Sequence, residues 1–308
     1  MFRKISLLAA ALVAVLAFNN PALAEGEMKP FVLASKGTGN LAATSADVTA
    51  KLQGAGFEIV GTYAPYPTAN IIIVTNDALK STAAKTEFGG YGVAQRVAIT
   101  DMNGEIQVSY TNPPYMAAAY RMDGDLMNVK DMLKGALGDQ GEYGPKDGMT
   151  AKQLSGYHYM FLMPYFDDPN ILGSAKSHQE MVDTVEANLA KGVGDITKVY
   201  RIDVPGKEET VFGVAMKSAQ QDQDDAWIMS EIDFKDVRST AHLPVEILVS
   251  GKKAYALSAR FRIAINFPDL SMAGDNSFMN IMSSPVSIQR AQTLVAGGKY
   301  TGDGKAAE

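Results

Sequence analysis

The feature that most constrains the fold of this chain is an order of elements that occurs twice along it. In the first half, a helical segment stopped by glycines (TSADVTAKLQGAG) is followed by two strand-like runs, a β-hairpin and a further helix. The second half starts the same order at HQEMVDTVEANLAKGVG. Four pairs of identical residues share an offset of 137 positions, namely Val48 and Val185, Ala50 and Ala187, Leu52 and Leu189, and Tyr63 and Tyr200. This long period predicts an α+β fold with two similar lobes, each an antiparallel sheet with helices packed on one face.

Each half also contains a hairpin that leads to a proline corner. The segment AQRVAITDMNGEIQVSYT has two alternating runs around Asn103-Gly104, which is a strong turn signal, and the double proline after it predicts an abrupt change from strand to helix. In the second half the predicted hairpin turns at Gly251-Lys252, and its second strand is expected to run on to Asn266-Phe267-Pro268. The acidic segment DQDDAW is expected to be a solvated loop, because it lacks the glycine and the closing glutamate of a calcium loop.

The N-terminus has the three parts of a secretory signal peptide. Arg3 and Lys4 precede an apolar run, and Ala22-Leu23-Ala24 matches a cleavage site. We therefore expect an exported, periplasmic protein whose mature chain begins at Glu25 and contains no transmembrane segment. The expected organisation is a signal peptide, an N-terminal segment, a first lobe, a glycine-rich linker, a second lobe and a disordered tail, over residues 1–24, 25–42, 43–140, 141–152, 153–298 and 299–308 respectively.

Composition excludes several classes of function. The chain has no cysteine, so disulfides, thiol nucleophiles and thiolate metal sites are absent. Its formal net charge is −6 and its basic residues are not clustered, so we expect no binding to nucleic acid. No nucleophile–base motif or cofactor fingerprint is visible, which predicts a protein that is not an enzyme.

The first half resembles the domain of unknown function 302 family. The resemblance is carried by VTAKLQGAGFEIV, by RVAITDMNGEIQVSYTNPPYM and by the helix that follows, over about residues 43–138. It implies a compact α+β fold, an antiparallel sheet with helices on one face, and it implies no activity. Asn112, Pro113 and Tyr115 match the corner motif of the family. The second half resembles a divergent copy, in which Phe267-Pro268-Asp269 stands at the corner.

Five residues are candidates for binding a small ligand in a cleft between the lobes. Arg260 and Arg262 lie two positions apart in a predicted strand, so both guanidinium groups are expected on one face, where they could clamp an anion. The alternative is that they pair with Asp233 or Glu231 on an exposed sheet face. Tyr115 and Asn112 at the corner and His158 in the aromatic segment GYHYMFLMPYFDDP complete this set.

The same aromatic segment permits a different hypothesis. His158, Met160 and Met163 could bind copper or haem iron through an imidazole and thioethers, although the chain has only three histidines. The alternative for these residues is a buried aromatic strand in which methionine fills gaps. The sequence thus leaves three functions open: a non-enzymatic binding protein for a small molecule, a metal or haem carrier, and an envelope protein that binds another protein. Either a monomer or a homodimer is compatible with it.

Overall fold

The computed structural model describes residues 26–302, so the predicted signal peptide, Glu25 and most of the predicted tail lie outside the described residues. The first lobe is built from six strands and four helices. Its elements in chain order are β1 (Phe31–Thr38), α1 (Leu41–Gly54), β2 (Glu58–Tyr63), β3 (Ala69–Thr75), α2 (Asp77–Lys85), β4 (Gln95–Met102), β5 (Glu105–Thr111), α3 (Pro113–Ala119), α4 (Met127–Leu137) and β6 (Glu142–Tyr143). No helix within residues 26–302 has the length and apolar character needed to cross a membrane.

The first sheet is antiparallel, with the strand order β2-β3-β4-β5-β1-β6. Asn103 and Gly104 form the predicted turn between β4 and β5, and both have the positive φ values that such a turn requires. The corner after β5 is confirmed as a strand-to-helix change, because Pro113 and Pro114 begin α3. Helices α1 and α4 pack against each other and against the sheet.

The second lobe repeats this topology. A short helix, α5 (Ala151–Ser155), precedes it, and its elements are β7 (Asn170–Ser174), α6 (His178–Ala190), β8 (Ile196–Asp203), β9 (Glu209–Met216), α7 (Asp225–Ile232), β10 (Val245–Ser250), β11 (Lys253–Ala256), α8 (Ala259–Asn266) and α9 (Ser284–Val295). The sheet order is β7-β11-β10-β9-β8, which matches β1-β5-β4-β3-β2 of the first lobe strand for strand. The prediction of an α+β fold with two sheet lobes is confirmed.

The sheet register corrects one of the predicted residue pairs. Helices α1 and α6 bury Val48 with Leu52 and Val185 with Leu189, as the offset of 137 predicts. In the following strands, however, the register shifts at Val60 in β2 and at Val199 in β8, 139 positions apart. Tyr200 therefore corresponds to Gly61 and not to Tyr63. The linker between helix and strand differs in length, which an offset taken from the helix cannot detect.

Two predicted boundaries also change. The N-terminal segment supplies β1, which lies between β5 and β6, so it belongs to the first sheet. The predicted linker supplies β6, and the Glu142 carboxylate in it accepts a hydrogen bond from the backbone N–H of Lys29 and pairs with Lys130. These residues are therefore an integral part of the first lobe.

Two element predictions in the second half were wrong. The strand expected to carry Arg260 and Arg262 ends at Ala256, and both arginines lie on helix α8. The acidic segment is not a solvated loop, because Asp224 caps helix α7 and Asp225 is buried. Helix α7 takes the place that α2 has in the first lobe, so the helix after the third strand is present in both halves.

The two lobes contact each other through short turns that lie against the neighbouring sheet. The turn Thr240–His242 packs on β3, β4 and β5, and the turn Gly89–Gly92 packs on β9 and β10. The Thr100 hydroxyl donates to the Thr240 hydroxyl at 2.9 Å, and the backbone N–H of Gly90 donates to the Glu209 carboxylate at 2.6 Å. Nearly all side chains in these contacts are buried, so the lobes share one continuous core.

Candidate functional site

Arg262 lies in a buried charge cluster between the lobes. Its Nε donates to Glu246 at 3.1 Å, and Arg96 from the first lobe donates to the other oxygen of Glu246 at 2.5 Å. Arg262 also donates to the main-chain oxygens of His242 and Pro244 at 2.7 and 2.9 Å. Arg262 is thus buried and held by protein acceptors, and it has no access to a ligand in solvent.

The His242 imidazole belongs to the same cluster. Burial, together with the nearby Arg262 and Arg96 charges, holds the pKa of His242 well below its usual value, so the ring is neutral. Its Nδ1 lies 2.9 Å from Nη1 of Arg262 and can accept a hydrogen bond from it. The alternative prediction for Arg262, pairing with Asp233 or Glu231 on an exposed sheet face, was wrong, because its partner is Glu246 on β10 and both side chains are buried.

Tyr115 and Asn112 are also fully enclosed. The Tyr115 hydroxyl donates to the main-chain oxygen of Ile265 at 2.7 Å and so joins α3 of the first lobe to α8 of the second. The Asn112 amide donates to the main-chain oxygen of Lys29 at 2.8 Å, and its side chain does not cap α3. Both corner residues thus hold elements together, and neither lines the surface groove that contains Arg260.

The structure brings three of the four remaining candidate residues together, while the side chain of the fourth, Met160, does not line their groove. His158, Met163 and Arg260 line one surface groove of about 690 Å³ in the second lobe, near its boundary with the first. The floor is formed by the starts of α8 and α9, and one wall is the segment 157–169, which has turns and no strand. The expected buried aromatic strand is therefore absent, because Phe161 and Leu162 in this segment are 84% and 86% exposed.

The wall of the groove is fixed at its C-terminal end. Phe166 is buried, and its ring stacks on Tyr120 of the first lobe and contacts Phe261 of the second, at centroid distances of 5.6 and 6.1 Å. Asp167 forms two hydrogen bonds with Arg121 at 2.7 and 2.9 Å, which lower the pKa of the Asp167 carboxyl group. The exposed tip at Phe161 and Leu162 is thus held above the groove by an anchor that involves both lobes.

The electrostatics of the groove favour an anion. Ser258 and Arg260 line it from the first turn of α8, and Pro285 and Val286 line it from the first turn of α9. Neither helix has a side-chain cap hydrogen bond, so each presents the positive end of a helix dipole, and the first turn of α8 keeps free N–H groups. In α9, Pro285 has no N–H and the Val286 N–H donates to the Ser283 carbonyl, so this end adds its dipole alone. Arg260 is exposed and adds a full positive charge between them. The one acidic side chain in the described lining is Asp168, which accepts the backbone N–H of Tyr165.

An apolar crevice continues from the groove beneath the wall segment. Met163 and Arg260 line both spaces, and the crevice is otherwise formed by Tyr159, Ile263, Ala264, Phe267, Leu270, Met272 and Phe278. The space in it that a water-sized molecule can occupy is narrow, about 20 Å³. The site therefore combines a positively charged mouth with an apolar surface that leads into the lobe.

His158 has a defined orientation at the mouth. Its Nδ1 lies 2.8 Å from the main-chain oxygen of Met160, and its ring lies 4.3 Å from that of Tyr165, centroid to centroid. The hydrogen bond at Nδ1 leaves Nε2 for a ligand. It is the Met160 carbonyl that contacts the imidazole, while Met163 lines the groove with it. No group of three histidine, aspartate or glutamate side chains able to hold a metal ion occurs within residues 26–302.

Sequence reasoning missed the contribution of α9. Pro285, Val286 and Gln289 form one side of the groove, and they follow Arg260 by some 25 positions. The only local signal was the Ser-Pro pair that predicts a helix start, and that signal does not tell which groove the helix end faces.

Comparison with known proteins gives no relative for this chain. No family model, no curated protein and no solved structure matches it. The resemblance to the domain of unknown function 302 family therefore stays a prediction, and the function has to be argued from the geometry of the groove.

Proposed function

We propose that this is an exported, periplasmic binding protein for a small amphipathic anion, that is, a carboxylate on an apolar body. The observation that carries the proposal is the position of the exposed Arg260 at the mouth of a groove, on the uncapped first turn of α8 and beside the start of α9. Export to the periplasm is supported by the signal-like sequence of residues 1–24.

The shape of the groove agrees with this ligand class. Its volume of about 690 Å³ lies within the range of small-molecule sites. A carboxylate bound at Arg260 would place its apolar body along Met163, Tyr165 and Val286, where the groove wall is apolar. Arg260 is free to bind because none of its guanidinium nitrogens has a protein partner within the described residues, in contrast to Arg262.

Replacement of Arg260 by methionine tests the proposal. We expect decanoate to bind the native protein at one site, and Arg260→Met to weaken this binding about tenfold, because one charge-assisted contact in a partly solvated site is lost. The uncharged analogue 1-decanol should bind both proteins equally, since it makes only the apolar contacts. Isothermal titration calorimetry measures all four affinities.

The matched control is Arg201→Met, which removes the same charge from an exposed position on strand β8. It should leave decanoate binding unchanged. Equal decanoate affinity for native protein and Arg260→Met, or no decanoate binding at all, would contradict the proposal. The buried Arg262 is unsuitable for this test, because its replacement would disturb the charge cluster between the lobes.

A metal carrier is the second candidate function. It is favoured by the hydrogen bond between Nδ1 of His158 and a carbonyl, which orients Nε2 as in many metal-binding histidines, and by Met163 in the same groove. If copper is the ligand, purified protein should retain one copper ion per chain through gel filtration, and His158→Gln should abolish retention. An equal copper content of both proteins would end this alternative.

A protein partner is the third candidate, favoured by the exposed tip at Phe161 and Leu162. Replacement of both by serine should then abolish co-purification of a stoichiometric envelope protein. Co-purification that survives this replacement would show that the tip is not the contact.

A further inference from the structure

A second cavity lies between the two lobes and shares no lining residue with the groove. It has a volume of about 290 Å³. The first lobe contributes Tyr66, Thr68, Thr100 and Met102, and the second contributes Ala226, Met229, Ser230, Asp233 and Arg238. Hydroxyl groups and two thioether side chains therefore surround one acidic and one basic side chain.

Asp233 is a buried carboxylate with an unused oxygen. The residue is 6% exposed, and its Oδ1 accepts the backbone N–H of Ser239 at 2.9 Å. Its Oδ2 is buried and has no hydrogen-bond partner within the described residues. An orphan carboxylate oxygen is costly in a protein interior unless a donor reaches it. A ligand with an N–H donor would supply that partner.

Arg238 provides the opposite charge without neutralising Asp233 directly. Its Nε donates to the Met102 sulfur at 3.3 Å, and its Nη1 donates to the main-chain oxygen of Asp233. Its Nη2 has no protein partner in the part of the chain that the structure describes. The two charged side chains thus line the same cavity, and neither oxygen of the Asp233 carboxylate accepts a hydrogen bond from Arg238.

We propose that this inter-lobe cavity binds a small zwitterion, such as a free amino acid, with its ammonium group at Asp233 and its carboxylate at Arg238. Met102, Met229 and Ala226 would contact an apolar side chain, and the cavity volume suits a molecule of this size. This ligand class differs from that of the groove, where Arg260 is exposed and the one carboxylate of the described lining, Asp168, already accepts a backbone N–H. The site is therefore additional to the one in the proposed function.

The ionisation of Asp233 agrees with this assignment. Burial raises its pKa to about 7, while the nearby Arg238 and Lys235 charges act in the opposite direction. A ligand ammonium group at Oδ2 would add a further cation beside the carboxyl group and favour its ionised form. Binding would thus satisfy both the charge and the unused oxygen.

Calorimetric titration with L-leucine and L-methionine tests the proposal on the native protein. Both should bind saturably at one site at millimolar concentration or below. Leucinamide keeps only the ammonium group and 4-methylpentanoate only the carboxylate, so each should bind at least about tenfold more weakly than L-leucine, because one charged contact is missing. Failure of both amino acids to bind overturns the proposal without any variant.

Asp233→Asn identifies the site. The amide oxygen can still accept the Ser239 N–H, so the fold is kept, but the charge is lost. We expect L-leucine binding to weaken about ten- to hundredfold, with a matching far-ultraviolet circular dichroism spectrum as the folding control. Arg260→Met, which disables the groove, should leave L-leucine binding unchanged. Native-like L-leucine affinity of Asp233→Asn, or its loss in Arg260→Met, would show that the amino acid binds elsewhere.

Discussion

Replacement of Glu246 by glutamine should destabilise the protein strongly. This carboxylate is 5% exposed and is the counter-ion of two arginines, Arg96 and Arg262, one from each lobe. Glutamine has nearly the same shape, but it removes the negative charge and points an amide N–H₂ group at guanidinium donors. The buried Arg96 and Arg262 are then left without a counter-ion. Breaking a buried ion pair from one side costs about 3 to 5 kcal/mol, and we expect a loss of this size.

Urea denaturation at neutral pH measures this loss. The single tryptophan, Trp227, reports unfolding near the second lobe by fluorescence, and far-ultraviolet circular dichroism reports both lobes. The control is Glu105→Gln, which breaks the exposed ion pair with Lys36 and should cost less than about 1 kcal/mol. An equal stability of the two variants would refute the idea that Glu246 neutralises the cluster.

A double variant sharpens the test. Arg96→Gln together with Glu246→Gln removes one charge of each sign, so the cluster keeps the net charge of the native protein. The combined loss should therefore be smaller than the sum of the two single losses, by about 1 to 3 kcal/mol. Additive losses would show that the two side chains act independently.

Two further changes have defined outcomes. Tyr115→Phe should lower the free energy of unfolding by about 1 to 2 kcal/mol, because the buried Ile265 carbonyl loses its donor, and an unchanged urea midpoint would contradict this. Burial raises the pKa of Asp225 to about 7, above its unfolded value, so the native state binds the extra proton and loses stability as pH rises towards 7. Between about pH 5 and about pH 7.5 the native protein therefore loses stability that Asp225→Asn does not lose. We expect the difference in unfolding free energy between the two proteins to shift by about 2 kcal/mol in favour of Asp225→Asn over this range. A pH-independent difference between the two urea curves would refute the assignment.

The parts of the fold that the sequence predicted are those set by local chemistry. The turn at Asn103 and Gly104 needs positive φ at both residues, and the double proline favours a helix start; neither depends on distant contacts. The repeat was visible because α1 and α6 each bury one face, which gives both helices the same periodic pattern.

Helix α8 was mistaken for a strand because it is buried on almost every side. Phe261 to Asn266 are all enclosed, so no polar stripe marks a helical period, and the alternation of Arg260, Phe261 and Arg262 resembled a strand. Asp225 was placed in solvent for a related reason. An acidic run usually is solvated, and the donors that hold the buried Asp225 carboxylate are the Met216 N–H and the Tyr63 hydroxyl, the second of which lies 162 positions away along the chain.

The candidate site was predicted in part. Sequence reasoning selected His158, Met163 and Arg260 because imidazole, thioether and guanidinium groups carry chemistry, and these three line one groove. It could not separate Arg260 from Arg262, because two positions are about half a turn of an α-helix, which makes the first face solvent and the second face Glu246. The inter-lobe cavity had no local signal, since its lining comes from four separate segments.

The position of the Arg96–Glu246 pair has a consequence for how the halves recognise each other. Each residue is the second of its strand, in β4 and β10, so the two stand at corresponding places in the repeated topology. Two copies of the first half, joined in the same way, would bring two Arg96 side chains together with no carboxylate between them, because Glu246 belongs to the second half. Like charges repel at that point, whereas the native combination attracts. Two copies of the second half would keep each Glu246 paired with its own Arg262, so the selection acts against the joining of two first halves.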